Sequence, residues 1–215
     1  MPNYLDIHTH HYQSVGDSRM SYRPTEPLLG PGLYSLGLHP CYPEDMQKSA
    51  LALLRSRLSS EQALIWAIGE AGLDKLSPVP LERQLHYLEA QIELSEALGL
   101  PLILHCVRAY NELMDLRKRL RPRQDWIIHG YRRGAELAES LLRAGFYLSF
   151  GQHYDAEALR LTYEADRLYL ETDEAPIDIE EVYRRALHTL GLASMEVLQQ
   201  YILKQAYGST SKLWH

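Results

Sequence analysis

Five short apolar runs in this chain each lead into a histidine or a carboxylate. They are LDIHTH with His8 and His10, ALIWAIGE ending at Glu70, LPLILH ending at His105, DWIIH ending at His129, and RLYLETD ending at Asp173. Brief stretches rich in Ile, Leu and aromatic residues, followed by glycine or charge, are how buried parallel strands read in sequence. Helical patterns lie between them, so strand and helix alternate, which points to an α/β protein with a parallel sheet. Polar groups at the C-terminal ends of many parallel strands specify a (β/α)8 TIM-type barrel, whose chemistry sits at that rim. With 215 residues the chain reads as one domain, 1–215, on the short side of the roughly 250 residues of such barrels.

Strands are expected near 4–8, 32–38, 63–69, 101–105, 125–129, 145–150 and 167–172, with a weaker eighth near 16–22. The clearest helix spans about 80–98. Pro80 suits its first turn, Leu81, Leu85, Leu88 and Ile92 form an apolar stripe, and Gly99 sits where a C-terminal cap belongs. Gly145 and Gly191 stop two later helices, and a last helix covers about 194–206 before a polar tail. The basic run Arg117-Lys118-Arg119, with Arg121 and Arg123, falls at the end of a helix leading into the next strand. That position puts it on the rim opposite the donors, as a solvated face that favours the helix dipole.

An apolar content of 46% can fill a core, and no stretch is long and apolar enough to span a bilayer. The N-terminus lacks the basic and apolar regions of a signal peptide, so a cytoplasmic location is expected. Cys41 and Cys106 cannot form a disulfide framework, in keeping with a reducing compartment, and read as small packing residues near loops. A net charge of −6 gives no global basic footprint for carrying nucleic acid. An anionic substrate must therefore be held locally, by metal and a few arginines.

On a strand, successive side chains alternate faces, so Asp6, His8 and His10 point one way. Two imidazoles on one face can grip a metal ion. A barrel brings Glu70, His105, His129 and Asp173 to the same rim, and imidazoles with carboxylates suit a first-row divalent ion better than an all-oxygen site does. Six donors exceed the needs of one tetrahedral zinc. Two ions roughly 3.5–4 Å apart account for the surplus, with Glu70 as the bridge.

The pieces LDIHTHH, LGLHP at 36–40, AIGEAGLD at 67–74, LPLILHCVRA at 100–109, IIHG at 127–130, RAGFYLSFG at 143–151 and LETDEAP at 170–176 occur together in one order. In this the chain resembles the TatD family of metal-dependent deoxyribonucleases, among the amidohydrolase-like barrels. The resemblance implies ligation of two divalent ions, Zn²⁺, Mg²⁺ or Mn²⁺, by His8, His10, Glu70, His105, His129 and Asp173. It also implies His39 beside the substrate phosphate and Asp6 as support for the ligands. The family's usual His-Ser-Arg becomes His105-Cys106-Val107-Arg108, which moves the phosphate-clamping arginine to Arg108. The usual His-Cys-Phe-Ser-Gly becomes His129-Gly130-Tyr131-Arg132-Arg133-Gly134, adding Arg132 and Arg133 as phosphate partners. The stretch from His11 to Gly32 is short, so the second β/α unit is trimmed to little more than an edge strand.

The function so implied is hydrolysis of nucleic-acid phosphodiesters, DNA rather than RNA, by an exonuclease without a membrane or obligate protein partner. Paired ions would lower the pKa of a shared water for in-line attack, with Glu70 and Asp173 as the catalytic carboxylates and Asp173 accepting the proton. Tyr12, Tyr42, Tyr110, Tyr131 and Tyr154 are candidates for stacking on bases. Two other readings keep the donors. One is a dinuclear hydrolase of another ester, amide or phosphoester, because fold does not settle substrate. The other is a non-catalytic, metal-stabilised binding scaffold.

Overall fold

The computed structural model describes residues 4–11, 17–30 and 32–207. Eight strands occur in chain order: β1 Leu5–Thr9, β2 Asp17–Tyr22, β3 Tyr34–Leu36, β4 Ile65–Asp74, β5 Leu102–Val107, β6 Trp126–Ile128, β7 Tyr147–Phe150 and β8 Leu168–Leu170. The helices are α1 Lys48–Ser60, α2 Leu81–Leu98, α3 Tyr110–Leu120, α4 Ala135–Arg143, α5 Ala156–Glu164, α6 Ile179–Leu190 and α7 Met195–Tyr207. From β3 onward each strand is followed by a helix, and neighbouring strands pair in parallel, as the (β/α)8 TIM-type barrel class requires. The expected strand near 16–22 is present as β2, and no helix follows it among the described residues before β3, so the second unit is trimmed as read. No helix among the described residues is long and apolar enough to cross a membrane.

The chain divides into two compact units, Met20–His129 and the pair of segments Met1–Arg19 and Gly130–His215. In the first, strands β3 to β6 pair in chain order around Leu36, Ile68, Leu102, Ile103 and Trp126, all buried. The β4–β5 ladder slips between Ile68 and Ala71, then resumes with Gly72 opposite His105 and Asp74 opposite Val107. Such irregularities re-aim side chains, and Glu70 lies within this one.

Helix α2 begins one residue later than read, with Pro80 in the capping position, and ends at Gly99 in the left-handed conformation that glycine adopts without strain. Its buried face is rotated from the expected leucine stripe. Leu81 and Leu85 are only partly covered, whereas Gln84, Tyr87, Leu88, Gln91, Ile92 and Ser95 are buried. The two glutamines satisfy backbone that β-pairing leaves over. Gln91 Oε1 accepts from Leu38 N at 2.7 Å, and its Nε2 donates to Leu38 O at 3.2 Å. Gln84 does the same for Asp74, accepting from its N at 2.7 Å and donating to its O at 2.9 Å. A buried amide so paired replaces the solvent its partners lost.

The basic run is tied down on the surface of this unit. Arg119 meets Glu89 at 2.6 Å, Arg123 meets Glu96 at 3.2 Å, and the Arg117 guanidinium lies 5.3 Å from the Trp126 ring centre. The run is otherwise largely exposed, with Lys118, Arg119 and Arg121 on the surface.

In the second unit β7 and β8 pair in parallel, and β8 runs on to meet β1 through Thr9 and Asp173. Asp173 N donates to His8 O at 3.0 Å and His10 N donates to Asp173 O at 3.1 Å. Helix α6 anchors β1 from behind, since the buried Tyr183 hydroxyl donates to Leu5 O at 3.0 Å and accepts from Leu5 N at 3.1 Å. The polar tail after Tyr207 lies outside the described residues.

Candidate metal and hydrolase centre

Each unit gathers three of the six predicted donors. In the unit Met20–His129, the Glu70 carboxylate is the hub: its Oε2 lies 2.8 Å from His129 Nε2 and 3.6 Å from His105 Nδ1. One ligand atom from each of Glu70, His105 and His129 falls within 4.8 Å of the others. Two imidazoles and a carboxylate at that separation fit a first-row divalent ion. Burial works against a charge on His105. Hydrogen bonds to Cys41 and Glu70, with the Glu70 charge, outweigh it and hold the ring up at about 10.

His39 stands at the edge of this trio, with Nε2 3.3 Å from Glu70 Oε2. Its Nδ1 accepts from Cys41 N at 3.1 Å, and its own backbone N donates to Asp45 Oδ2 at 3.0 Å. Asp45 is buried and also takes Arg23 Nε at 2.9 Å, while the Arg23 guanidinium stacks 3.9 Å from the Tyr42 ring centre. The His39–Asp45 loop is therefore braced on both sides. Tyr42 is exposed, with one face of its ring taken by Arg23, and Tyr110 is half-buried.

Asp74 was missed at the sequence level. Its Oδ2 lies 3.3 Å from His105 Nε2 and accepts from Cys41 Sγ at 3.1 Å, and its Oδ1 accepts from Leu76 N at 2.7 Å. Burial alone would raise its pKa, but these hydrogen bonds and the His105 ring bring it below the usual carboxylate range. A carboxylate behind a ligating histidine orients the ring and selects its tautomer. The alternation that exposes His8 and His10 would have found it, because β4 does not end at Glu70 and Asp74 lies four residues on. Cys41 also departs from expectation. It is more than a packing residue, since its thiol contacts Asp74; Cys106 keeps the bland role, with burial pushing its thiol up to about 12.

In the other unit, His8 Nε2 and His10 Nε2 lie 3.6 and 3.8 Å from Asp173 Oδ1. His8 is buried, whereas His10 is partly open. Asp6 supports this trio through a neighbour: its Oδ1 accepts from Thr172 N at 3.0 Å and its Oδ2 from Thr172 Oγ1 at 2.6 Å. Complete burial lifts the Asp6 carboxyl to about 7 despite those bonds. Thr172 and Thr9, with hydroxyls 2.9 Å apart, are further supports that the sequence reading passed over.

Arg132 reaches Asp173, Nη2 to Oδ2 at 3.8 Å, and is 60% exposed; Arg133 is exposed beside it. Arg108 is exposed just after β5 in a left-handed conformation. Tyr131 is not a stacking platform, because it is fully buried, packs edge-on against Phe150 and donates its hydroxyl to Gly134 O at 2.9 Å. Tyr154 is half-buried and its hydroxyl pairs with that of Thr189. Tyr12 lies outside the described residues.

Residues 29–196 match the sequence model of a family described as TatD related DNase. Among curated proteins, the chain is 34% identical over 119 residues to the uncharacterized metal-dependent hydrolase YjjV of Escherichia coli, covering 54% of this chain and 46% of that protein. It is 26% identical over 157 residues to an uncharacterized metal-dependent hydrolase of Haemophilus influenzae, covering 68% and 60%. It is 33% identical over 150 residues to a protein of Cronobacter turicensis named 3'-5' ssDNA/RNA exonuclease TatD, covering 64% and 55%. The aligned region thus spans about half the length of these relatives. Among solved structures, the YjjV crystal structure from Escherichia coli superposes with a TM-score of 0.77 at 21% identity, covering 96% of this chain and 97% of that one. A TatD-family hydrolase of Entamoeba histolytica superposes at 0.70 and 15% identity, covering 94% and 96%. At these identities the likeness carries the fold alone, and that fold is the TatD barrel.

Proposed function

The chain belongs to the TatD-related DNase family, and from that premise we propose that residues 1–215 act as one metal-dependent hydrolase that cleaves nucleic-acid phosphodiesters as an exonuclease, DNA in preference to RNA. The observation that carries this reading is Glu70 set against His129 and His105, three donors within reach of one ion. His8, His10 and Asp173 would hold a second divalent ion. Relatives named ssDNA/RNA exonucleases support the substrate class. Two free thiols agree with a cytoplasmic setting.

When bound, the divalent ions supply Lewis acidity and an activated water. The remaining work belongs to side chains. Asp173 would take the proton from the attacking water, while Asp6, through Thr172, and the backbone bonds to His8 and His10 keep that carboxylate in place. Arg132 and Arg133 neutralise non-bridging phosphate oxygens, joined by Arg108 and by His39 at the edge of the Glu70 trio. Contacts of that kind hold a backbone without reading its sequence.

His129→Ala tests the reading directly. It should abolish most turnover and remove one metal equivalent by elemental analysis while far-ultraviolet circular dichroism stays unchanged. Full metal occupancy with retained turnover would refute it. Nuclease, esterase and amidase substrates assayed on the same metal-loaded sample should show turnover of the nucleic acid first. Arg132→Ala and Arg133→Ala should each weaken binding of single-stranded DNA and flatten its salt dependence by about one unit of log–log slope. Unchanged affinity in both would remove the phosphate role.

A further inference from the structure

We propose that Cys41, His39 and His105 form a further cation site, one that takes a soft divalent ion such as Zn²⁺ through a thiolate and two imidazoles. One ligand atom of each lies within 4.8 Å of the other two, and all three side chains are partly accessible. None of the six donors assigned above is a thiol, and sulfur is the ligand that separates zinc from magnesium or manganese.

The surroundings supply an oxygen as well. Asp74 Oδ2 sits 3.1 Å from Cys41 Sγ and 3.3 Å from His105 Nε2. A tetrahedral ion with bonds of about 2.0–2.3 Å sets its ligand atoms about 3.3–3.8 Å apart, so these two separations need little adjustment. His105 turns its two nitrogens to different carboxylates, Nδ1 to Glu70 at 3.6 Å and Nε2 to Asp74 at 3.3 Å, and so stands between the Glu70 trio and the thiol. The backbone under the site is already held. Asp45 fixes His39, Ser77 Oγ donates to Pro40 O at 2.8 Å, and Gln84 clamps Asp74. Little ordering remains to be done on loading.

Loading would release to solvent both the Cys41 thiol proton now directed at Asp74 and the proton that His105 Nε2 holds toward the same carboxylate, and sulfur–metal and nitrogen–metal bonds would form in their place.

The full-length chain, stripped with chelator and titrated with Co²⁺, reports this site through its thiolate-to-cobalt charge-transfer absorption. The band should appear in the wild-type protein and in Cys106→Ser and vanish in Cys41→Ser. In parallel, Zn²⁺ bound per chain should fall by one equivalent in Cys41→Ser. No charge-transfer band at cobalt saturation, or undiminished zinc in Cys41→Ser, would overturn the proposal and leave the thiol as a hydrogen-bond donor to Asp74. His105 serves both sites, but the band reports sulfur alone and so is read apart from the six-donor proposal, which the His129→Ala stoichiometry decides.

Discussion

Asp173→Asn is expected to lower nuclease turnover by about 10²–10⁴-fold, the range that a positioned proton acceptor contributes, with little change in thermal stability. The exchange isolates chemistry from backbone. Asp173 has a φ of 55°, in the left-handed region, and asparagine is among the few residues that tolerate it. The backbone bonds to His8 and His10 do not involve the side chain, so the amide keeps the β8–β1 junction intact. What is lost is the negative charge 3.6 Å from His8 and 3.8 Å from His10. Steady-state kinetics on a single-stranded oligonucleotide, together with metal content, checks this. Turnover within a factor of a few of wild type would take Asp173 out of the reaction.

Gly72→Ala should have the largest effect on stability, about 3 kcal/mol or more. A Cβ at this position would lie 2.0 Å from the His105 carbonyl oxygen and 2.9 Å from its carbonyl carbon and its nitrogen, and φ is +143°. The obstruction is backbone in a paired strand, so no side chain can swing aside. Relief would require β4 and β5 to part where Gly72 pairs with His105, beside Glu70 and Asp74. With a urea slope of about 2 kcal/mol/M, the midpoint should fall by about 1.5 M. A midpoint within a few tenths of that of wild type would show that the strands separate easily.

The donors were visible in sequence because each lies at or near the end of an apolar run, and strand alternation is a local property. Glu70 and Asp74 show where that reasoning stopped short. The apolar run reads as ending at Glu70, yet β4 continues past the ladder slip to Asp74 and carries a second carboxylate to His105. Gln84 and Gln91 were hidden for the opposite reason. A helical stripe was sought among leucines, and the glutamines acquire their place only because Leu38 and Asp74 present unpaired backbone to α2. Tyr131 looked like a rim aromatic by position, but its ring is buried against Phe150.

Periodicities of 2.0 and 3.6 residues are written into neighbouring positions, which is why strand and helix order and the trimmed second unit are legible without coordinates. Register is not local. The slip between Ile68 and Ala71, the close approach of Gly72 to His105, and the meeting of Cys41 with Asp74 depend on which residues of distant strands pair. That choice is made by packing and backbone hydrogen bonding across the fold, and it governs which donors within each unit come close enough to share an ion.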